Sequence, residues 1–256
     1  MTTPSLSAVI IAYNEAERIG DCLRSLTFCD EILVVDSGSD DVTREICRDA
    51  GARVVEQAWL GYGAQKRFAV AQAAHDWVLC VDADERVTPA LAETIRRTLE
   101  RPDYTAYEMP RRNRFLGRWL RHGEGYPDLT LRLFDRRHAN WSEDTVHERV
   151  VCEKGVGRLT GDLLHESQET LSRYLEKQNH YTTLQAKEIA AGGGSPPYAK
   201  VMVSPLVRFI KFYLLRLGFL DGVAGFVHIT IGCINSMLKY AKAVELMRGR
   251  GADREG

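Results

Sequence analysis

An excess of either charge is missing from this chain: 34 Lys and Arg face 35 Asp and Glu, giving a formal net charge of −1 at pH 7. That balance excludes a uniformly basic nucleic-acid binder, while leaving room for local patches. Proline is scarce, and 8 prolines with 21 glycines among 256 residues exclude a collagen-like or linker-like chain. The six cysteines (Cys22, Cys29, Cys47, Cys80, Cys152 and Cys233) form no CxxC pair and show no zinc-ligand spacing. Scattered through apolar patterns, they read as reduced core residues of a cytosolic protein. No export signal is expected at the start, where a basic n-region is lacking and the apolar stretch Ala8-Val9-Ile10-Ile11-Ala12 is too short. The longest uncharged run, residues 222–238, has 17 residues including three glycines, His228, Asn235 and Ser236. A spanning helix needs ~20 apolar residues, so this run is expected not to cross a membrane. What is present is 45% hydrophobic residues, enough to core one large domain or a domain with an appendage.

Two periodicities alternate over the first hundred residues. Ser7-Ala8-Val9-Ile10-Ile11-Ala12-Tyr13 is a continuous apolar run, as in a strand buried on both faces. Ile19, Cys22, Leu23 and Leu26 follow at helical spacing. Residues 31–36 and 53–56 read as strands, and between them Ser39, Asp40 and Asp41 are candidate caps for a helix bearing Val42, Ile46, Cys47 and Ala50 and closed by Gly51. A third helix is expected over 64–74, a fourth strand over 77–82, and a helix opened by Thr88-Pro89 with Leu91, Ile95 and Leu99 on one side. Repeated strand–helix–strand units predict a parallel sheet with helices on both faces. Beyond residue 100, strands over 104–109 and 129–134 suggest a partly antiparallel addition, the second alternating Leu129, Leu131 and Leu133 against Thr130 and Arg132. A helix is expected over about 169–190, then the linker Gly192-Gly193-Gly194-Ser195-Pro196-Pro197. The implied division is an α/β domain over 1–168 and a helical region over 169–256.

In open parallel sheets, ligands bind beyond the carboxyl ends of the strands. Here those ends read Tyr13-Asn14-Glu15, Asp36-Ser37-Gly38-Ser39-Asp40 and Asp82-Ala83-Asp84-Glu85. Asp40 and Asp41 suit turn and cap roles; Asp36, directly after Leu33-Val34-Val35, suits a ligand role. Asp82 and Asp84, separated by one small residue after an apolar strand, can face one hard cation such as Mg²⁺ or Mn²⁺ and its phosphate ligand. The first strand is followed by Tyr13-Asn14-Glu15 and not by GxGxxG, which argues against a dinucleotide-dependent oxidoreductase.

Ala8-Val9-Ile10-Ile11-Ala12-Tyr13-Asn14-Glu15, Val34-Val35-Asp36-Ser37-Gly38-Ser39-Asp40-Asp41 and Asp82-Ala83-Asp84, in this order, resemble the nucleotide-sugar domain of family 2 glycosyltransferases. Gly61-Tyr62-Gly63-Ala64-Gln65-Lys66-Arg67 and Val146-His147-Glu148 look like its lipopolysaccharide inner-core β-1,4-glucosyltransferase branch. The resemblance covers roughly residues 5–190. It implies an α/β fold of the GT-A type, a mostly parallel Rossmann-like sheet flanked by helices, with C-terminal amphipathic helices. It further implies that Ala12, Tyr13, Glu15 and Asp36 hold the base and ribose of a uridine nucleotide. Lys66 would lie near the nucleotide or its phosphates, with Arg67 at the surface. Asp82 would contact ribose or metal, and Asp84 would bind a divalent Mg or Mn ion on the diphosphate. Asp144 would be the base that deprotonates the acceptor hydroxyl, with Glu148 as its rival and His147 on the acceptor side. His165, in Leu164-His165-Glu166, either closes the metal site or is structural.

Arg111, Arg112, Arg114, Arg118 and Arg121 interleave with Phe115, Leu116, Trp119 and Leu120, and no acid falls among them. Arginine suits phosphate, so Arg112 and Arg114 are candidates for a phosphorylated acceptor or an anionic lipid surface. Nucleic acid is not expected, since no recognised motif accompanies the patch. Residues 198–242 carry six Lys or Arg against the single acid Asp221, with many aromatic and aliphatic residues between. That composition suits a helix in a membrane interface, and equally helices packed on the catalytic domain or in a dimer. The resulting expectation is a metal-dependent inverting enzyme that uses UDP-glucose on a lipid-linked core oligosaccharide at the cytoplasmic face of the inner membrane. Two alternatives stand beside it: a polyprenyl-phosphate glycosyltransferase, and a non-catalytic nucleotide-binding module.

Overall fold

The computed structural model describes residues 4–142, 148–167 and 170–252, which fall into two compact units. One comprises Met1–Arg112 with Asp128–Glu166, the other Asn113–Pro127 with Ser167–Gly256.

The first unit is organised by β1 (Leu6–Ala12), β2 (Glu31–Asp36), β3 (Arg53–Glu56) and β4 (Trp77–Cys80), which pair in parallel in the order β3-β2-β1-β4. Between them run α1 (Ile19–Ser25), α2 (Thr43–Asp49) and α3 (Tyr62–Gln72). Successive side chains of a strand point to opposite faces, and both faces are buried here. Ala8 and Ile10 of β1 join Cys22 and Leu23 of α1 and Leu91 and Ile95 of α4 (Pro89–Glu100). Val9 joins Leu33, Val35 and Val78 against Ala69 and Val70 of α3. A fully buried residue such as Ile10 contributes about 1.5–3 kcal/mol, which is why an unbroken apolar run was needed in β1.

Beyond β4 the sheet turns antiparallel. β8 (Asp128–Asp135) pairs with β4, and β6 (Ala106–Phe115) pairs with β8. β12 (Leu163–His165) and β5 (Glu85–Val87) complete the order β4-β8-β6-β12-β5. Three short strands, β9 (Ala139–Trp141), β10 (Val150–Cys152) and β11 (Gly157–Arg158), had no clear periodicity in the sequence. β9 pairs with β10, and β11 with β6.

The alternation expected for β8 is overturned: Arg132 is buried at 4% exposure while Leu129 stands at 37%. β8 runs between β4 and β6 and is covered on both faces toward its end, and acids and an aromatic ring receive the buried guanidinium. Two boundaries also move. β4 ends at Cys80, so Asp82 and Asp84 lie in the turn to β5, where the Glu85 N–H donates to Asp82 O at 2.9 Å. The α2 N-cap position is Val42, with Asp41 Oδ1 accepting from Thr43 N at 2.9 Å and Ser39 serving another loop.

Thr88 does cap α4: its Oγ1 accepts from Leu91 N at 3.3 Å, with Pro89 following. The same hydroxyl donates to Asp162 O at 2.8 Å. Thr88→Ala is expected to cost about 1–2 kcal/mol, read as a lower urea midpoint with an unchanged m-value.

In the second unit, β7 (Arg118–Trp119) folds back on the end of β6, and α5 (Leu171–Ala191) and α6 (Tyr198–Phe209) pack on α7 (Gly222–Ala252). A π-helical turn, Ile210–Leu215, and a 3-10 turn, Gly218–Asp221, link α6 to α7. The uncharged run at 222–238 thus sits in a longer helix. By length and composition alone, one helix among the described residues, Gly218–Gly249, is long and apolar enough to cross a membrane.

Candidate active site

Three loops meet at the carboxyl ends of β1 and β2 because polar side chains tie them together. Asn14 adopts a left-handed φ of 54°, its N–H donating to Ser39 Oγ at 2.9 Å and its Oδ1 accepting from Asp40 N at 3.0 Å. Glu15 N donates to Thr43 Oγ1 at 2.8 Å and Ala16 N to Asp41 Oδ2 at 3.1 Å. This knit leaves Tyr13 58% exposed while Ala12 stays buried beneath it. Asp36 is fully buried. Its Oδ1 accepts from Gly38 N and Ser39 N at 3.0 and 2.9 Å, and its Oδ2 accepts from the Ser39 hydroxyl. Gly38, at φ 94°, makes that turn possible without strain. Asp36 therefore shapes its loop from within. Gln65 of α3 extends the knit, donating to Ser37 Oγ at 3.1 Å and Gln57 O at 3.2 Å and accepting from Leu60 N at 3.2 Å.

The charged centre lies after β4. Asp82 Oδ1 is 3.2 Å from Lys66 Nζ, and its Oδ2 accepts from the Arg132 guanidinium at 2.6 Å. Arg132 also donates to Glu85 Oε1 at 2.9 Å, and Glu85 Oε2 accepts from Asp82 N at 3.0 Å. Trp141 of β9 backs both cations, its ring 4.4 Å from Lys66 Nζ and 5.7 Å from the Arg132 guanidinium carbon. Burial opposes ionisation of Asp82, but Arg132 and then Lys66 outweigh it and hold this carboxyl far below the usual carboxylate range. Arg132, although desolvated, is pushed up by Asp82 and Glu85. Glu148 Oε1 comes within 4.0 Å of Lys66 Nζ, so a second carboxylate faces the same lysine.

Asp84 has a different partner. The antiparallel pairing of β12 with β5 sets His165 opposite Glu85 and carries His165 Nε2 to 3.2 Å from Asp84 Oδ2. Burial would raise Asp84, but the hydrogen bond and charge of His165 hold it below its ordinary value. Glu15 shifts up instead, chiefly by burial, with Asp84 adding repulsion and Arg18 opposing.

The structure thus gathers Lys66, Asp82 and Glu148 in one group and Asp84 and His165 in another, with Glu15 sensing Asp84. Asp144 and His147 lie outside the described residues. Arg112 pairs with Asp162 in the first unit, while Arg114 belongs to the second, its Nε donating to Gly117 O at 3.3 Å. The arginine run is therefore not one free patch, since Arg111 is also committed, to Asp128 at 2.7 Å and Glu85 at 3.4 Å. Sequence reasoning missed Arg132, Glu85 and Trp141. The available signal was a cation and an acid beside apolar strands: Arg132 reads as the polar half of an alternating strand, and Glu85 only as one more acid at a strand end. Trp59 and Tyr62 after β3 are half-exposed rings packed edge-to-face at 4.8 Å.

Among the described residues, no group of three or more His, Cys, Asp and Glu side chains is arranged to hold a metal ion. A hard divalent cation needs only one or two protein carboxylates when phosphate oxygens fill its other positions. Asp84 with His165 fits that donor set. Asp82 does not, because Lys66 and Arg132 already take both its oxygens.

Comparison with known proteins agrees with this architecture. A family model described as Glycosyl transferase family 2 matches residues 7–158. The lipopolysaccharide core biosynthesis glycosyltransferase LpsC of Rhizobium meliloti (strain 1021) is 34% identical over 93% of this chain and 91% of its own length. An uncharacterized glycosyltransferase of Rickettsia typhi (strain ATCC VR-144 / Wilmington) is 30% identical over 94% of this chain and 87% of its own. The crystal structure of a mycobacterial protein shares the fold with a TM-score of 0.50 at 19% identity, over 72% of this chain and 74% of that one.

Proposed function

Because this chain belongs to glycosyl transferase family 2 and has an α/β fold of the GT-A type, we propose that it transfers glucose from UDP-glucose to a heptose of a lipopolysaccharide inner core. The transfer is inverting and forms a β linkage at the cytoplasmic face of the inner membrane, where the acceptor is anchored in lipid. The observation that supports this reading is the pair of contacts made by the acids after β4, Asp82 with Lys66 at 3.2 Å and Asp84 with His165 at 3.2 Å. Support for the acceptor comes from LpsC, whose name places that relative in lipopolysaccharide core biosynthesis.

The exposed Tyr13 ring stacks on the uracil, and Glu15 and Ala12 border the ribose. Asp36 serves indirectly, by fixing the turn that faces the base. Lys66, held by Asp82 and Trp141 at the back of the site, presents its ammonium to the diphosphate. Asp84 and His165 would hold a divalent Mg or Mn cation, which would supply positive charge against the departing diphosphate. Asp144 takes the proton of the acceptor hydroxyl as it attacks the anomeric carbon from the face opposite the diphosphate, with Glu148 as the rival base. Arg112 and His147 bind the phosphorylated acceptor.

The test is a donor screen on purified protein with a lipid-linked heptosyl acceptor, reading released nucleoside diphosphate with and without chelator. UDP release from UDP-glucose, lost on chelation and restored by Mn²⁺, is the expected result, with a β-anomeric product by NMR. Asp144→Asn is expected to lower turnover by about 10²–10⁴. Near-normal turnover of that variant on a polyprenyl phosphate, whose oxygen is already ionised, would overturn the assigned acceptor. UDP binding without transfer from any nucleotide sugar would overturn the catalytic reading.

A further inference from the structure

The surface of the second unit between α6 and the start of α7 is left unexplained by glycosyl transfer. Leu206, Ile210, Leu215, Phe219, Val223 and Phe226 stand exposed on successive turns, Leu215 and Val223 at 75% and 77%. So much large apolar surface in one stretch marks an interaction site. The polar residues among them share one sign. Lys200, Lys211 and Arg216 are exposed, whereas Asp221, the single acid within residues 198–242, is buried at 2%. Its Oδ2 accepts from the backbone N–H groups of Arg121 and His122 at 2.9 and 2.8 Å. The surface therefore offers cations and hydrocarbon without an exposed acid from this stretch.

That charge pattern selects the occupant. A two-fold contact with a second copy would press this patch against itself, cation to cation. An anionic bilayer supplies opposite charge at its headgroups and an apolar phase beneath them. The helix long enough to span is otherwise engaged: Asn235 Nδ2 donates to Gln178 Oε1 at 2.8 Å, and Lys242 Nζ donates to Asn179 Oδ1 at 2.7 Å and Thr182 Oγ1 at 2.8 Å. These bonds pin α7 to α5, and 44% of its most apolar window is buried.

We propose that residues 206–226 lie in the interface of an anionic bilayer, with their apolar side chains among the acyl chains and Lys211 and Arg216 at lipid phosphates. This deepens the reading of a lipid-borne acceptor and rests on that reading for its purpose, while its test needs no turnover.

The full chain is sedimented with phosphatidylcholine vesicles with or without phosphatidylglycerol, in the absence of donor. Binding to the anionic vesicles is expected, weakening as salt rises. Leu215→Glu/Val223→Glu should lower the partition coefficient at least about tenfold on both vesicle types. Lys211→Glu/Arg216→Glu should lower it about tenfold on anionic vesicles and hardly on neutral ones. Circular dichroism and UDP release establish that the variants are folded, since none of these residues belongs to the active site. Wild-type protein left in the supernatant at low salt overturns the proposal. So does a wild-type dimer by light scattering that Leu215→Glu/Val223→Glu converts to monomer, because the surface would then belong to a second copy. An enzyme inert on every donor that still binds vesicles would refute the glycosyl-transfer reading alone.

Discussion

Asp84→Asn should lower transfer by about three orders of magnitude in kcat, the scale of losing one fixed electrostatic partner of a developing charge. The side chain keeps its shape and loses its charge, so His165 retains an oxygen to bond and the fold is undisturbed. Thermal unfolding should move little, because Asp84 lies at the rim and not among the core residues. A second readout separates binding from chemistry: calorimetric UDP affinity in the presence of Mn²⁺ should fall in the variant, and affinity measured with chelator should not change. Asp40→Asn is the matched control. Asp40 is an exposed acid on the neighbouring loop whose backbone N–H, not its side chain, makes the bond to Asn14. It should leave kcat within about twofold, as expected of a surface substitution away from such features. Equal losses in both variants would mean that general rim charge, and not Asp84 itself, supports the reaction.

Arg132→Met acts on stability first. It removes the guanidinium that bonds Glu85 Oε1 at 2.9 Å and Asp82 Oδ2 at 2.6 Å, leaving the fully buried Glu85 with the longer Arg111 contact at 3.4 Å. Breaking a buried pair from one side typically costs about 3–5 kcal/mol, and chemical denaturation should show a loss in that range. Arg132→Met/Glu85→Gln should recover part of it, because the stranded charge is gone. The pH dependence has a definite sign. Asp82 has a folded value below its unfolded one, so its contribution is complete above the ordinary carboxylate value of ~3.9 and disappears as pH falls through the lower folded value. The wild type should therefore lose stability steeply below about pH 4. In Arg132→Met, where Lys66 alone holds Asp82, that part of the acid slope should be shallower. An unchanged acid limb would mean that the ion pair does not set the titration of Asp82.

The fold was legible wherever burial on both faces forced an unbroken apolar run. Ala8, Ile10 and Val9 announce β1 because they face two different cores, and Leu33 with Val35 does the same for β2. The position of the rim acids was legible where they closely follow such a run, as at Asp82 and Asp84, which lie in the turn after β4. Three things were hidden. Arg132 looked like the polar half of an alternating strand, since no local pattern reveals that Asp82 and Glu85, some fifty residues earlier, will receive it. Asp36 advertised a ligand role by its position, and spacing did not expose that its buried carboxylate also accepts three bonds from the turn it begins. Residues 113–127 fall between two strands of the first unit in sequence, yet they belong to the second. Asp221 of that unit takes the Arg121 and His122 backbone donors, and only the three-dimensional pairing reveals it.

The hairpin-like union of β12 with β5 has a consequence for synthesis. Asp84 leaves the ribosome roughly eighty residues before His165, which at ~5–20 residues per second is several seconds of translation. A nascent chain of intermediate length can pair β1 to β4 while the rim at Asp84 still lacks its imidazole. The Asp84–His165 pair is therefore completed late, after the sheet that supports it. Ribosome-stalled chains ending before residue 163 should protect β1 from proteolysis while failing to retain nucleotide.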